Sequence, residues 1–162
     1  MTKSTSKKSA GILLFRRGGD GLEVLLGHPG GPYWARKDEG SWSIPKGEFD
    51  AEDALDAAKR EFLEETGSPI TGQPIPLSPV KQKGGKTVYA FAVEQDFDPT
   101  ALVSNTFAME WPPKSGQIAH HPEIDRAAWF TPDAARTKLF AAQVPLLDEL
   151  ISLLSLRDAQ GG

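Results

Sequence analysis

The chain has 162 residues, the length of one ordinary domain, and its 39% hydrophobic and 25% charged residues are typical of a folded, soluble protein. Eighteen basic and 22 acidic residues give a net charge of -4, which argues against a broad surface for duplex nucleic acid. The absence of cysteine excludes a disulfide scaffold, a thiolate metal site and a cysteine nucleophile. Without a membrane-length apolar run or a secretory signal, we expect a cytoplasmic protein with no membrane partner.

The first part of the chain contains a basic polar tail, over residues 1–9, which we expect to be flexible. Apolar and alternating runs then predict three strands, over residues 10–15, 22–28 and 41–44. A longer turn over 16–21 joins the first two strands. The Gly-rich segment 29–41 carries aromatic and charged side chains and is predicted to be an ordered functional loop.

The middle of the chain predicts one helix after a stop at Pro45-Lys46-Gly47. Asp50 is the expected N-cap and Gly67 the expected C-cap, so the helix runs to about Thr66. An apolar stripe is predicted to pack this helix on the sheet: Ala51, Leu55, Ala58 and Phe62.

Strands dominate the second half. They are predicted over residues 86–96, 105–111 and 125–130, with at most an edge strand over 73–79 and a second long loop over 112–122. Thr131 caps a short helix, and a last amphipathic helix runs from near Gln143 to near Arg157. This order of strands and helices predicts an α+β fold in which helices cover a mixed sheet.

Three glutamates of the predicted first helix indicate a binding site for a cation. Glu61, Glu64 and Glu65 occur at i, i+3 and i+4 and therefore share one face, with Glu65 nearest the apolar edge. Lys59 and Arg60 are expected to project away from that face. A hard divalent cation is then the simplest countercharge, with magnesium as the first choice, and a merely solvated acidic face is the alternative.

The surrounding residues form a recognisable pattern: Gly47, Glu52, Arg60, Glu61, Phe62, Glu64, Glu65 and Gly67. It resembles the Nudix box of the Nudix hydrolases, G-x5-E-x7-R-E-U-x-E-E-x-G-U, and matches it fully from Glu52 to Gly67. Only four residues separate Gly47 from Glu52, and Ser68 stands at the final apolar position. The resemblance implies an α/β/α sandwich, formed by one domain over residues 10–162.

The resemblance also implies a metal site. Glu61, Glu64 and Glu65 would bind magnesium or manganese, with the backbone carbonyl near Lys46 or Gly47 completing the coordination shell. Such ions neutralise phosphate charge and lower the pKa of an attacking water.

Further roles follow from matching positions. Arg60 and Glu52 would form a supporting pair that orients the glutamates. Glu64 is our prediction for the general base, and the loop residue Glu123 is its rival and a further candidate ligand.

The substrate is expected next to this site. Four loop residues combine rings that stack on a base with charges that hold phosphate: Tyr33, Trp34, Arg36 and Lys37. Packing within the loop is the alternative for the two aromatics. Lys46 is expected to face phosphate. The stretch SWSIPKG resembles the W-x-x-PKG segment of Nudix members that act on dinucleoside polyphosphates, inositol pyrophosphates or nucleoside triphosphates.

The predicted function is therefore that of a metal-dependent pyrophosphohydrolase. Its expected partner is a small-molecule nucleotide, a nucleoside diphosphate linked to another group, above all a dinucleoside polyphosphate or a nucleoside triphosphate. An RNA 5′-end hydrolase, an inositol pyrophosphate hydrolase and a non-catalytic Nudix-like nucleotide-binding module stay open as alternatives. No stable nucleic-acid partner is expected, because the net charge is negative.

Overall fold

A computed structural model describes residues 7–161, apart from the side chains of residues 83 and 159–161. Its strands and helices are β1 (Lys8–Gly18), β2 (Gly21–Pro29), β3 (Lys46–Phe49), α1 (Ala54–Thr66), β4 (Pro74–Pro76), β5 (Val80–Lys81), β6 (Thr87–Glu94), β7 (Thr106–Glu110), β8 (Ile118–Pro122), β9 (Ile124–Phe130), α2 (Pro132–Lys138) and α3 (Val144–Gly161). No helix in the described part of the chain is both long and apolar enough to cross a membrane.

The main sheet is mixed, as predicted. Its strand order is β4-β6-β1-β2-β9, while β3 pairs with β1 and β5 pairs with β6. The β1–β6 pair is parallel, and the other pairs are antiparallel. Strands β7 and β8 form a separate antiparallel hairpin.

Helices cover both faces of this sheet, so the central strand β1 is buried on both sides. Leu13 and Phe15 belong to a core that α2 and α3 complete, whereas Ile12 and Leu14 belong to a core that Phe62 of α1 completes. Alternate residues of a strand point to opposite faces, so one strand contributes to both cores. The predicted α/β/α sandwich is confirmed.

The connections near the N-terminus are tighter than predicted. Gly18 pairs with Gly21, so the β1–β2 turn contains only two residues rather than the predicted segment 16–21. Strand β1 begins at Lys8, so the last two residues of the predicted tail belong to the sheet. Residues 1–6 lie outside the described part of the chain.

The strand predicted over 41–44 is wrong. Trp42 and Ser43 form only isolated bridges, and the strand begins after the proline, at Lys46. The Pro45 carbonyl accepts a hydrogen bond of 3.1 Å from the Ile12 amide. Proline lacks only its own amide donor, so it can precede a strand without ending the pairing.

Helix α1 begins later than predicted. Its N-cap is Asp53, not Asp50, because the Asp53 side chain accepts hydrogen bonds from the amides of Leu55 and Asp56. Ala51 is exposed and precedes the helix, so the predicted apolar stripe is wrong at its start. The C-cap prediction is confirmed: Gly67 adopts a left-handed conformation with a φ of 83°.

The second half also differs from the prediction at one loop. Strand β8 occupies the end of the segment 112–122, where the sequence predicts no strand. The short edge strand is confirmed as β4. Helix α3 continues to Gly161, beyond the predicted end near Arg157.

Candidate active site

The three predicted glutamates line one cavity of about 430 Å³. Glu61 and Glu64 are half-buried, and Glu65 is buried with 8% of its surface exposed. The spacing on α1 puts them on one face, as expected. Residues from other parts of the chain line the rest of the cavity: Lys46, Gly47, Glu48, Asn105, Thr106 and Glu123.

Glu123 reaches this cavity through two backbone hydrogen bonds. The Asn105 amide donates to the Glu64 carbonyl at 2.8 Å, and the Glu123 amide donates to the Asn105 carbonyl at 2.8 Å. The C-terminal end of α1 is thereby joined to the segment before β9. A residue 58 positions away in sequence from Glu65 therefore lies beside it.

Arg60 contacts the glutamates, contrary to the sequence prediction that it projects away from their face. Its guanidinium donates to Glu52 at 2.7 Å, to Glu61 at 2.7 Å and to Glu64 at 3.3 Å. The long, planar side chain of arginine can serve several carboxylates at once. These bonds lower the pKa of the Glu52 carboxyl and join the loop before α1 to the acidic face.

Glu65 has a strongly raised pKa. Burial, followed by the charges of Glu61 and Glu123, raises the pKa of Glu65 from its ordinary value of 4.5 to about 8. One of its oxygens accepts a hydrogen bond of 3.2 Å from the Lys46 amide, which opposes this shift. Burial also raises the pKa values of Glu61 and Glu123.

The backbone of Gly47 lies directly against the side-chain carboxylate of Glu61. A Cβ atom on Gly47 would lie 1.9 Å from a carboxylate oxygen of Glu61. Gly47 belongs to β3 and pairs with Ala10 of β1, so the main sheet fixes its position. The backbone and this carboxylate are thereby held in direct contact.

The donor set fits a hard divalent cation. Three carboxylates and a nearby backbone segment supply oxygen ligands, the type that magnesium and manganese prefer. In the described residues, no three acidic or histidine side chains converge closely enough to hold an ion as they stand. Glu61 and Glu64 each have an oxygen within hydrogen-bond distance of the Arg60 guanidinium, at 2.7 and 3.3 Å.

A second cavity, of about 320 Å³, adjoins the acidic one. The two cavities share Lys46, Glu65 and Glu123. The Trp34 ring lies on the wall of the second cavity and packs edge-on against Phe140, with ring centroids 5.5 Å apart. Burial, followed by the charge of Lys86, lowers the pKa of Lys46.

Of the five predicted substrate-binding residues, the structure brings Lys46 and Trp34 to these cavities. Tyr33 turns away: its ring packs on Trp111 at 5.3 Å, and 60% of its surface is exposed.

Arg36 and Lys37 also lie elsewhere. They line a separate surface cavity, together with Arg126 and Lys138. Lys37 retains a link to the second cavity, because its ammonium group lies 5.0 Å from the centre of the Trp34 ring.

Several lining residues carry no sequence motif and were missed by the sequence analysis: Gln82, Lys86, Asn105, Phe140 and Gln143. They come from three separate connections of the chain, β5–β6, β6–β7 and α2–α3. Their only common signal is a polar or aromatic side chain between predicted elements or at the first residue of one, which is too general to select them.

The sequence model of the NUDIX domain family matches residues 5–150. This chain belongs to the NUDIX family. The predicted resemblance is confirmed, and as a member of this family the protein is a hydrolase that acts on phosphorus-containing acid anhydrides. No curated protein matches the chain in sequence.

Solved structures share the NUDIX fold at low sequence identity. A Caenorhabditis elegans Ap4A hydrolase in a binary complex is 20% identical, with a TM-score of 0.61 over 91% of this chain and 98% of that one. The NUDIX domain of Shewanella oneidensis NrtR, complexed with ADP ribose, is 17% identical, with a TM-score of 0.66 over 94% and 90%. RenU, a Nudix hydrolase from M. smegmatis, is 23% identical, with a TM-score of 0.57 over 91% and 87%.

Proposed function

We propose that this NUDIX hydrolase is a metal-dependent pyrophosphohydrolase of a nucleoside diphosphate linked to another group. A dinucleoside polyphosphate or a nucleoside triphosphate is the favoured substrate. The observation that carries this proposal is the junction of the two cavities at Lys46, Glu65 and Glu123. An aromatic, cationic pocket therefore opens directly onto a cluster of carboxylates.

The second cavity supports nucleotide binding through its ring and its charges. Trp34 offers an aromatic surface for a base, and Lys46 and Lys86 offer positive charge for phosphate. A polyphosphate chain that starts in this cavity would extend past Lys46 toward the glutamates of α1. The substrate would thus lie with its anhydride bonds along the boundary between the cavities.

The acidic cavity supports the hydrolytic step. Glu61, Glu64 and Glu65 would hold magnesium or manganese, with oxygen from the backbone near Gly47. When bound, such a cation neutralises phosphate charge and lowers the pKa of a coordinated water. Glu64 is our choice for the general base that accepts the proton from the attacking water. Glu123, which faces the same cavity, is the alternative base and a further candidate ligand.

Arg60 and Glu52 would position the carboxylates. Arg60 bonds both Glu61 and Glu64, so its removal would free these side chains to turn. The Glu52 carboxylate receives two parallel donors from the guanidinium and fixes its plane. We further propose that the partner of this protein is a small-molecule nucleotide and that the protein acts in the cytoplasm.

The test is a product-resolved hydrolysis screen with magnesium and with manganese. The panel holds diadenosine polyphosphates, nucleoside triphosphates, nucleotide sugars, ADP-ribose, an inositol pyrophosphate and a 5′-triphosphate RNA. We expect rapid turnover of a dinucleoside polyphosphate or nucleoside triphosphate, abolished by chelator and restored by magnesium.

A Trp34→Ala variant locates the substrate. We expect a higher KM for the best nucleotide substrate, with D56N, an exposed change on α1, as the control. Turnover of only the inositol pyrophosphate or only the RNA would contradict the proposed substrate class. Folded protein that binds nucleotide but turns over no member of the panel would favour the non-catalytic module.

A further inference from the structure

His28 is the largest buried polar side chain outside the proposed catalytic cluster. It lies on β2, is fully buried and has hydrogen-bond partners at both ring nitrogens. Nδ1 lies 2.9 Å from a carboxylate oxygen of Asp125, and Nε2 lies 2.7 Å from the backbone carbonyl of Lys37. Nothing in the hydrolytic chemistry above uses this residue.

The partner at Nε2 determines the direction of one hydrogen bond. A backbone carbonyl only accepts hydrogen bonds, so Nε2 carries a proton and donates it to the Lys37 carbonyl. The other ring nitrogen, Nδ1, faces the Asp125 side chain, which is 34% exposed and lies 4.0 Å from Arg126. The geometry therefore assigns Nε2 as the donor toward the loop.

The Lys37 carbonyl belongs to the loop that carries Trp34. Residues 31–40 form turns without a regular ladder, closed by hydrogen bonds such as Lys37 amide to Trp34 carbonyl at 2.9 Å. His28 therefore reaches Trp34 through one residue of backbone. His28 itself is held in strand β2, and its neighbours Gly27 and Pro29 line the second cavity.

Other contacts hold the two ends of the same loop. Asp38 accepts from the Trp42 indole at 2.8 Å and pairs with Lys138 of α2. Tyr33 rests on Trp111. Between these two ends, the turn at Trp34 is joined to the sheet through the Lys37 carbonyl and the buried imidazole. A buried hydrogen bond from a rigid strand restricts a loop more than an exposed ion pair does.

We propose that His28 is a positioning residue for substrate binding: by donating Nε2–H to the Lys37 carbonyl, it holds loop 31–40 so that Trp34 forms the wall of the nucleotide cavity. The Asp125 carboxylate keeps the ring oriented with Nε2 toward the loop. This inference rests on the proposed nucleotide pocket and adds a residue that determines its shape. It assigns His28 no contact with substrate.

The test compares two amides that each reproduce one ring nitrogen. The glutamine amide of H28Q can replace Nε2 and donate to Lys37, whereas the shorter amide of H28N can replace Nδ1 and reach only Asp125. We expect H28N to raise KM for the best nucleotide substrate about tenfold, the effect of losing one buried hydrogen bond, with kcat nearly unchanged. H28Q should raise KM much less than H28N.

Two further measurements separate positioning from general stability. Hydrogen exchange in the peptide spanning residues 31–40 should be faster in H28N than in H28Q. If His28 acts through Trp34, the H28N/W34A double variant should raise KM no further than W34A alone. D125N, a change at a partly exposed position, should also raise KM and speed up hydrogen exchange in the loop. It replaces H28N in these measurements if H28N does not fold.

Equal effects of H28Q and H28N on KM and on loop exchange would overturn the inference, as would additive effects of H28N and W34A. Wild-type protein without nucleotide turnover would instead contradict the proposed function. In that case the difference in loop exchange between H28N and H28Q still decides whether His28 positions the loop.

Discussion

At the level of single residues, the glutamates of the acidic cavity differ in their burial and in their contacts. Glu65 is buried among other carboxylates, while Glu64 is half-buried and shares the Arg60 guanidinium. A side chain that holds an ion or accepts a proton needs its charge, and glutamine preserves shape while removing that charge.

We therefore expect E64Q and E65Q each to lower kcat by at least about 100-fold, equivalent to roughly 2.7 kcal/mol of transition-state stabilisation. Steady-state hydrolysis, with circular dichroism to verify the fold, is the measurement. D56N, on the exposed face of the same helix, should retain wild-type turnover. Near-normal activity in both glutamine variants would show that the catalytic site is elsewhere.

The raised pKa of Glu65 has a definite sign for stability. Because its pKa is about 8 in the folded protein and near 4.5 when unfolded, the folded state binds the proton more tightly. The stabilisation is complete below about pH 4.5 and is lost as the pH rises through about 8.

Without divalent metal, the free energy of unfolding of the wild type should thus fall relative to that of E65Q between pH 5 and pH 9. Urea denaturation in the presence of chelator, at both pH values, measures the difference. A constant difference between the two proteins across this range would be inconsistent with a protonated Glu65 in the metal-free state.

At the scale of elements, the backbone of β3 lies directly against a side-chain carboxylate of α1. Gly47 of β3 and Glu61 of α1 are the residues in contact. In G47A, the new methyl group would displace the Glu61 carboxylate, and we expect turnover to fall about tenfold or more.

The matched control for this change is G19A, in the β1–β2 turn, where a Cβ would meet no atom within 4 Å. Enzyme assays at saturating magnesium, with thermal melts of both variants, provide the comparison. If G47A and G19A are equally active, the close approach of Gly47 has no catalytic role.

Arg60 joins the loop before α1 to the acidic face of that helix. R60A leaves Glu61 and Glu64 unrestrained, so we expect 10- to 100-fold lower activity at limiting magnesium, the usual effect of removing a group that orients metal ligands. Higher magnesium should restore part of the activity. R60K should lie between R60A and wild type because lysine keeps the charge but loses the paired donors to Glu52.

Magnesium titrations of activity for R60A, R60K and K59A test this role. K59A changes the exposed neighbouring residue and should behave as wild type. An R60A defect that is unchanged at any magnesium concentration would indicate that Arg60 acts on substrate or fold rather than on the ligands.

At the scale of the whole molecule, metal binding should stabilise the fold. The proposed ligands come from α1 and from β3, two elements that the native fold brings together. A cation that binds only the native state at 100 times its Kd adds about 2.7 kcal/mol to the free energy of unfolding. For a domain of this size, that corresponds to a rise in Tm of roughly 5–10 °C.

Differential scanning calorimetry with magnesium, against potassium at the same ionic strength, measures this shift. The E61Q/E64Q/E65Q variant should show little response to magnesium. An equal rise in Tm for wild type and this variant would mean that the ion binds somewhere else.

The register of the carboxylates on α1 follows from the local sequence. The spacing of Glu61, Glu64 and Glu65, the cap at Gly67 and the match to the Nudix box are local properties, because 3.6 residues per turn put these side chains on one face of any helix. The alternating runs likewise predicted most strands. The N-cap was misplaced because Asp50 and Asp53 are both suitable capping residues, and only the path of the chain from β3 selects Asp53.

The surroundings of those carboxylates depend on the packing of distant segments of the chain. Adjacent Tyr33 and Trp34 turn to different partners, Trp111 and Phe140, because the loop crosses between the β7–β8 hairpin and the segment before α3. The second cavity likewise gathers residues from distant parts of the chain. Such long-range contacts depend on sheet order and helix packing, which no spacing along the sequence encodes. The residues of the Nudix box could therefore be predicted from local sequence spacing, whereas the shape of the proposed nucleotide pocket could be described only from the folded structure.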